Sequence, residues 1–280
     1  RQLVVSCGAA LFGARLAVRT LGRVPQVELI SDPLRSDLLA RLTLGAAAPA
    51  NAEEVALTAA LPRRHTQRHG LVDDGLPPAL IDAVRRAAAL ERCVLLVLAA
   101  GQRHAVAELV AAADRAQRSA PEVLRELARW TNRPPGSGEG LPLGSWPRTP
   151  VPRTADELAA RDFGRRTARA STGAQAPALA AIGGSPPPAA ALLAGGGTRA
   201  DELRAGQALY RVLLTAAALG VQASLHSQPF GLLGLRRLLQ AELTGGAQPQ
   251  MLIQLGWQRR PAPTQPVTPR RPVEDVLVLA

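Results

Sequence analysis

The chain has 280 residues, of which 47% are hydrophobic and only 2% aromatic, and its formal net charge is +11. This length accommodates one large domain or two modest ones, with a core built mainly from Leu, Val and Ala. All 33 basic residues are Arg. They are spread along the chain among few aromatic residues, which disfavours nucleic-acid binding, although the charge alone leaves it open.

Two cysteines, Cys7 and Cys93, stand alone, without a CxxC pair or a His at metal-ligand spacing. Isolated cysteines in a chain of this size are typical of small buried residues in a reducing compartment. No uninterrupted apolar run approaches the roughly 18 residues of a membrane span, and no signal-peptide pattern follows Arg1. We therefore expect a cytoplasmic protein with no metal centre and no membrane partner.

The first half of the chain alternates helical and strand patterns. A helix is predicted over residues 6–21, with Ser6 as its N-cap and Gly22 at its end, and a strand over residues 27–30. Residues 38–44 are ambiguous between helix and strand, and their TLG ending favours a strand. Helices are then predicted over 52–61, 77–92, 102–118 and 121–132, with a strand over 94–99.

Residues 62–70, PRRHTQRHG, form the densest cluster of cationic and hydrogen-bonding side chains in the sequence. Arg63, Arg64, Thr66 and Arg68 could clamp a phosphate, because guanidinium groups supply paired donors and the hydroxyl supplies one more. A solvated basic loop is the alternative, and it is the more common fate of a charge run.

A segment rich in Pro and Gly, residues 133–176, is predicted to be an excursion over the surface or a lid. Strands are predicted over 177–182 and 190–193. The glycine run at 194–197 favours a flexible turn over a phosphate loop.

The most regular helix pattern covers residues 201–220 and leads through a short strand, 221–225, into the polar turn HSQPFG, 226–231. Thr198 can cap this helix, and Asp201 and Glu202 suit its first turn. The turn could border a planar ligand with polar edges, or it could be an ordinary loop. A helix over 233–243 and a strand over 249–257 follow, before the tail TPRRPVEDVLVLA.

Several of these stretches together are similar to one known family. The GQAL segment, the SQPF turn, PQMLIQLGW and TPRRPVEDVL, in this order, resemble the C-terminal part of the nitroreductase superfamily. The closest likeness is to the Acg-like NAD(P)H nitroreductases, in which two nitroreductase-like halves are fused in one chain. RRHTQR, Trp130 and the SCGAALFGARLAV helix resemble the same family, so the likeness covers most of the chain.

The resemblance implies an α+β fold, with a central, mainly antiparallel sheet flanked by helices. It implies that residues 1–61 are the remnant of a truncated N-terminal half and that 62–280 form the C-terminal half. Members carry an APSxxNxQPW-like segment before the first helix, and we expect it to be missing from this chain. A monomer with an internal pseudo-dimer and a homodimer are both compatible with the likeness.

The resemblance also implies a site for FMN. The family's Arg-Arg-Ser segment, which holds phosphate and ribityl oxygens, corresponds to Arg63, Arg64, Thr66 and Arg68. The turn would lie beside the isoalloxazine ring, with the Gly231 N–H near N5, and Arg270 and Arg271 would approach the phosphate from the tail. The residues of that turn are Ser227, Gln228, Pro229, Phe230 and Gly231. Family members often carry Glu where this chain has Gly231, so only backbone roles are expected there.

The function implied is hydride transfer from NAD(P)H through FMN to a nitroaromatic, a quinone or a similar acceptor. No catalytic side chain is predicted, because the flavin itself carries the hydride. A flavin-binding or flavin-sequestering relative without turnover is the alternative, and an Arg-driven nucleic-acid binder is a third possibility. The likeness leaves the acceptor and the preference between NADH and NADPH open.

Overall fold

The computed structural model describes residues 1–30, 37–68, 71–131, 133–134, 137–142, 145, 158, 187–244, 246–258 and 268–278. The strand predicted over 177–182 and most of the excursion predicted over 133–176 lie outside the described residues.

Seven α-helices and seven β-strands form within the described residues. The helices are α1 (Gln2–Thr20), α2 (Ala52–Ala60), α3 (Pro78–Leu90), α4 (Ala100–Arg118), α5 (Pro121–Trp130), α6 (Arg199–Ala218) and α7 (Leu233–Leu243). The strands are β1 (Arg23–Leu29), β2 (Ala40–Ala47), β3 (Leu71–Val72), β4 (Val94–Val97), β5 (Ala189–Ala194), β6 (Gln222–His226) and β7 (Gln248–Gln258). Residues Gln228–Gly231 and Val273–Asp275 form single 3-10 turns.

The main sheet is built around β7, its longest strand. One edge of β7 pairs with β5, which in turn pairs with β4. The other edge pairs with β6 and, at its end, with β3. All four pairings are antiparallel. The α+β fold with a mainly antiparallel sheet, expected from the sequence, is therefore confirmed.

Helices cover both faces of this sheet, because β5 is apolar on both sides. Ala190, Leu192 and Ala194 pack into a core with α3 and α6. Ala189, Ala191 and Leu193 pack into a second core with α4 and α7. This alternation follows from the two-residue period of side chains along a strand.

The helix α6 is held at both ends by local sequence. The Thr198 side chain accepts a hydrogen bond from the Asp201 backbone N–H, and the Asp201 carboxylate accepts one from the Thr198 backbone N–H. This reciprocal cap satisfies N–H groups that the first helical turn leaves unpaired. Beyond its last turn Gly220 takes φ +80°, which lets the chain reverse into β6.

On the side of α6 away from the sheet lie α1 and α2. Phe12, Leu57 and Leu214, one residue from each of these three helices, belong to a third buried cluster. The predicted division of the chain at residue 61 stays a prediction. The described residues on either side of it share this cluster.

The first helix differs from its prediction at its start. It begins at Gln2, four residues before the predicted cap, and the Ser6 hydroxyl donates to the Gln2 carbonyl instead of capping. The stretch 38–44, which was ambiguous between helix and strand, lies largely in strand β2. Strand β2 pairs with β1 in a separate two-stranded sheet.

By length and composition alone, α1 is also a candidate membrane span, the one such helix found among the described residues. The sequence prediction missed it because Arg15 and Arg19 interrupt its apolar run. Buried helices of soluble proteins and N-terminal signal sequences have the same composition, so this is weak evidence for a membrane.

Candidate ligand-binding site

Two polar stretches that are far apart in the sequence lie side by side in the structure. Thr66 forms a parallel bridge with Ala223 of β6, and the Gln67 N–H donates to the Ala223 carbonyl over 2.8 Å. Thr66 and Gln67 therefore lie beside β6, while Arg63 and Arg64 stay in the turn that follows α2. Because β6 leads directly into Ser227, the RRHTQR segment and the SQPFG turn are neighbours.

Beside this junction is a cavity of about 330 Å³, within the usual size range of small-molecule sites. It lies between α1 and α6 and is closed by the SQPFG turn and the start of β7. Its lining residues are Arg1, Gln2, Val5, Ser6, Ala9, Arg64, Leu209, Tyr210, Leu213, Leu225, Ser227, Phe230, Gln250 and Met251.

The two helices give this cavity a largely apolar wall. The contributions of α1 include Val5 and Ala9, and those of α6 include Leu209 and Leu213. Both pairs are spaced four residues apart, so each pair forms one stripe on its helix. Phe230 is buried and closes the cavity from the turn. A flat apolar ligand would fit against these walls.

One end of the cavity is cationic, because Arg64 lines it and Arg68 lies near Arg64 behind it. The Arg64 guanidinium carbon lies 5.8 Å from the centre of the Tyr210 ring. Its buried Nε has no hydrogen-bond partner among the described residues. Burial, and next the nearby charge of Arg64, lower the pKa of Arg68, whose Nη1 donates to the Thr66 carbonyl over 3.5 Å. Two adjacent guanidinium groups of this kind favour an anionic ligand such as a phosphate.

A second guanidinium position lies at the start of α1. Arg1 donates through Nη1 and Nη2 to Gln250 Oε1, over 3.1 and 2.7 Å, and through Nη2 to the Pro249 carbonyl. Its guanidinium carbon lies 5.8 Å from the centre of the Phe230 ring. Burial is the main cause that lowers the pKa of Arg1.

The SQPFG turn is fixed from two sides. The Gln228 carbonyl accepts a hydrogen bond from Gln117 of α4 over 2.9 Å. The Ser227 carbonyl accepts one from the Gln2 side chain over 3.3 Å. Within the turn, Ser227 and Phe230 line the cavity, Gln228 and Pro229 are buried, and Gly231 is exposed. The preceding residue, predicted to be in the turn, is instead the buried last residue of β6, where His226 Nε2 lies 2.9 Å from Gln254 Oε1.

Several residues predicted for the site do not line the cavity. Arg63 is exposed, and its Nε donates to the Ala59 carbonyl. In the tail, Arg270 donates to the Thr268 and Pro269 carbonyls, and Arg271 forms an ion pair with Glu139. Among the predicted residues, the cavity is lined by Arg64, Ser227 and Phe230.

Sequence reasoning missed the contribution of α1. Gln2 and Ser6 are exposed polar positions on the same stripe as Val5 and Ala9, and polar residues that interrupt an apolar stripe are the signal that could have found them. Gln250 is likewise a buried polar residue at the start of an apolar strand. Both signals were in the sequence. No cluster of three His, Cys, Asp or Glu side chains suited to a metal occurs in the described part of the chain.

The cavity thus combines an apolar slot with guanidinium groups, an arrangement suited to a planar ring that carries a phosphate. The antiparallel sheet with helices on both faces, and this cavity beside it, place the chain among α+β proteins with a candidate ligand site. A scan against protein-family models finds no match. Two curated relatives do match: putative NAD(P)H nitroreductases of Mycobacterium tuberculosis strains CDC 1551 / Oshkosh and ATCC 25618 / H37Rv.

Each relative is 33% identical over 286 residues, which cover 99% of this chain and 77% of the relative. The chain therefore belongs to the nitroreductase family of oxidoreductases, as the sequence resemblance implied. A solved nitroreductase with bound FMN from Bacteroides fragilis NCTC 9343 is also similar, with 11% identity and a TM-score of 0.44, covering 78% of this chain and 95% of that one.

Proposed function

We propose that this chain is an FMN-dependent oxidoreductase that transfers hydride from NAD(P)H to a nitroaromatic, a quinone or a similar acceptor. The observation that carries the proposal is the cavity, in which the apolar slot between α1 and α6 adjoins the Arg64 guanidinium. The relatives named as NAD(P)H nitroreductases support the electron donor.

The residues present fit FMN. Its phosphate carries close to two negative charges, and Arg64 and Arg68 offer adjacent guanidinium groups, one of them with a buried Nε that no described residue satisfies. The ring would lie against the apolar stripes of α1 and α6, with Gln2, Ser227 and Gln250 as polar groups for its edges. Arg63 and Thr66 would support the phosphate segment from outside the cavity.

Bound FMN would supply the hydride chemistry, and the protein would supply binding and orientation. For a nitro acceptor the balanced reaction takes one NAD(P)H and one proton and gives a nitroso compound, water and NAD(P)⁺. The apolar walls would hold one face of the ring, while Phe230 and the Arg1–Gln250 pair fix one boundary of the slot.

One observation favours a second candidate, a flavin-binding relative without turnover. Gly231, whose backbone N–H was expected near flavin N5, is exposed and does not line the cavity. A flavin held by Arg64 and the apolar walls would then lack that donor to its reactive edge. Such a protein would bind FMN but would not be reduced by NADH or NADPH.

Reconstitution separates these candidates. The purified protein is mixed with FMN, desalted and examined for flavin absorbance, and then titrated anaerobically with NADH and with NADPH. Bleaching of the flavin, followed by turnover of a nitroarene, is expected for the oxidoreductase. Bound flavin that stays oxidised supports the second candidate, and protein that takes up no FMN contradicts both.

A further inference from the structure

The cavity carries positive charge at two separated places. Arg64 lies over Tyr210, and the Nε of Arg1 lies 3.8 Å from Glu202 Oε1. Glu202 and Tyr210 are eight positions apart on α6, which corresponds to about 12 Å along a helix. The two guanidinium groups therefore occupy different ends of the slot.

No acidic residue stands among the described residues that line the cavity. With FMN bound as proposed, its phosphate would offset the charge of Arg64 and Arg68, because a phosphate monoester carries nearly two negative charges. The other end would keep its charge. Among the described residues, Glu202 is the carboxylate that opposes Arg1, while Arg236 of α7 adds a second positive charge close enough to lower the pKa of Arg1.

Arg1 also has donors to spare. Its hydrogen bonds to the described residues use three of the five N–H donors of a guanidinium. Glu202 Oε1, at 3.8 Å, is beyond hydrogen-bonding distance. The bonds to Gln250 and Pro249 hold the group in place over Phe230, so it is positioned before any ligand arrives.

We infer that the Arg1 end of the cavity binds an anionic group of the ligand that follows the flavin. The shared chemistry is a carboxylate or phosphate next to the redox-active ring. Its source is either an aromatic acceptor with a carboxylate or the phosphate groups of the dinucleotide donor. This inference rests on the proposed function and adds a charge preference to it.

The direct test is binding of two inert probes of equal size, benzoate and benzyl alcohol, measured by isothermal titration calorimetry with and without FMN. Wild-type protein should bind benzoate about tenfold more tightly, the size expected for one charge-assisted contact, and added salt should weaken the binding of benzoate but not of benzyl alcohol.

Arg1→Gln should abolish the preference for benzoate, and Arg236→Gln should reduce it. Arg237→Gln, an exposed neighbour on α7, is the matched control and should keep it.

Kinetics then identify the source of the anion. A higher KM for 4-nitrobenzoate in Arg1→Gln, with an unchanged KM for 4-nitrobenzyl alcohol, assigns the site to the acceptor. An increase over wild type in the KM for NADH, for NADPH or for both, with unchanged KM values for the two acceptors, assigns it to the donor.

In the FMN-loaded protein, equal affinity of wild type for the two probes, or a benzoate preference that survives both Arg1→Gln and Arg236→Gln, overturns the inference. FMN uptake and turnover of 4-nitrobenzyl alcohol with NADH test the proposed function separately, because neither needs an anion at the Arg1 end. Loss of both would refute the proposed function. The probe titration without FMN would then be repeated in an Arg64→Gln background, so that benzoate bound near Arg64 does not mask the contribution of Arg1.

Discussion

Gly8 of α1 and Gly206 of α6 touch where the two helices cross. A Cβ added to Gly8 would lie 2.9 Å from the Cα of Gly206, and one added to Gly206 would lie 2.8 Å from the Cα of Gly8, with backbone carbonyl oxygens closer still. Only glycine at both positions permits this approach. The crossing sets the distance between the stripes of α1 and α6 that form the apolar walls of the cavity.

Gly206→Ala should therefore loosen the helix pair. Alanine is normally preferred over glycine in a helix by up to about 1 kcal/mol, but here the new methyl group meets backbone atoms that cannot turn aside. We expect a net loss of about 1–3 kcal/mol in the free energy of unfolding, measured with urea, together with weaker FMN binding.

The matched control is Gly101→Ala in α4, where an added Cβ meets nothing within 4 Å. This variant should be unchanged or slightly more stable, with unaltered FMN affinity. Equal stability of the two variants would show that the α1–α6 crossing is not tightly packed.

The sequence predicts elements that depend on local patterns more accurately than elements that depend on long-range contacts. The bounds of α7 were predicted to the residue, and β5, β6 and β7 to within one or two residues, because their patterns are local. The start of α1 was not, since Arg1 and Gln2 are held by Gln250 and Ser227, residues more than two hundred positions away. No local rule for caps includes such contacts.

The site shows the same limit. The sequence identified the cationic segment and the polar turn as candidate site segments. It could not show which of the neighbouring arginines faces the cavity, because that depends on long-range contacts such as the bridge between Thr66 and Ala223. The bridge, together with the turn in which the Arg63 and Arg64 N–H groups bond to the Ala60 carbonyl, places Arg64 at the cavity and Arg63 in solvent. The residues that α1 contributes to the site could not be predicted, because they depend on the close crossing of α1 and α6 at Gly8 and Gly206.

The two neighbouring arginines give a second prediction. Arg64→Gln should weaken FMN binding by roughly tenfold to a hundredfold, the size of a lost hydrogen bond to a charged group. Arg63→Gln makes the same change of charge one residue away, on an exposed side chain, and should alter the affinity by less than about threefold. Quenching of flavin fluorescence on titration gives both dissociation constants. A larger effect at Arg63 would contradict the observed path of the segment.

A buried carboxylate supports the same helix pair. Glu91 is 8% exposed, and its oxygens receive Arg15 at 2.7 Å and Arg211 at 3.1 Å. Both guanidinium groups also lie near the Phe12 ring. Glu91→Gln leaves two cations without their shared counter-charge, so we expect a loss of roughly 2 kcal/mol in the free energy of unfolding.

The comparison variant is Glu28→Gln, which breaks the ion pair with Arg41 on the two-stranded sheet. Both of its partners are more than half exposed, and such pairs contribute at most about 1 kcal/mol. Denaturant titration of the two variants side by side tests the prediction, and a cost at Glu28 that equals the cost at Glu91 would be evidence against a structural role for the buried cluster.

Alkaline pH should lower the stability of the fold through ionisation of Cys93. Burial, with the charge of Glu91 adding to it, raises the pKa of this thiol from 9.0 to about 11. The unfolded chain loses the thiol proton near pH 9 and the folded chain keeps it to about pH 11, so stability is unaffected below pH 9 and falls between pH 9 and 11. Cys93→Ala should remove this component of the pH dependence, seen as a shallower decline of the urea midpoint over that range. Identical declines in both proteins would mean that the thiol is accessible.

The tail arginines provide the last prediction. The family resemblance placed Arg270 and Arg271 near the phosphate, whereas Arg271 pairs with Glu139 and the side chain of Arg270 bonds to its own segment. In this arrangement neither guanidinium contributes to the cavity, so Arg270→Gln and Arg271→Gln should each leave FMN affinity unchanged, within about twofold of wild type. If the tail instead reaches the phosphate when FMN binds, Arg271→Gln should weaken FMN as strongly as Arg64→Gln, and Glu139→Gln should strengthen it by releasing Arg271. The three variants, titrated with FMN at one ionic strength, distinguish a tail fixed on Glu139 from one that moves to the ligand.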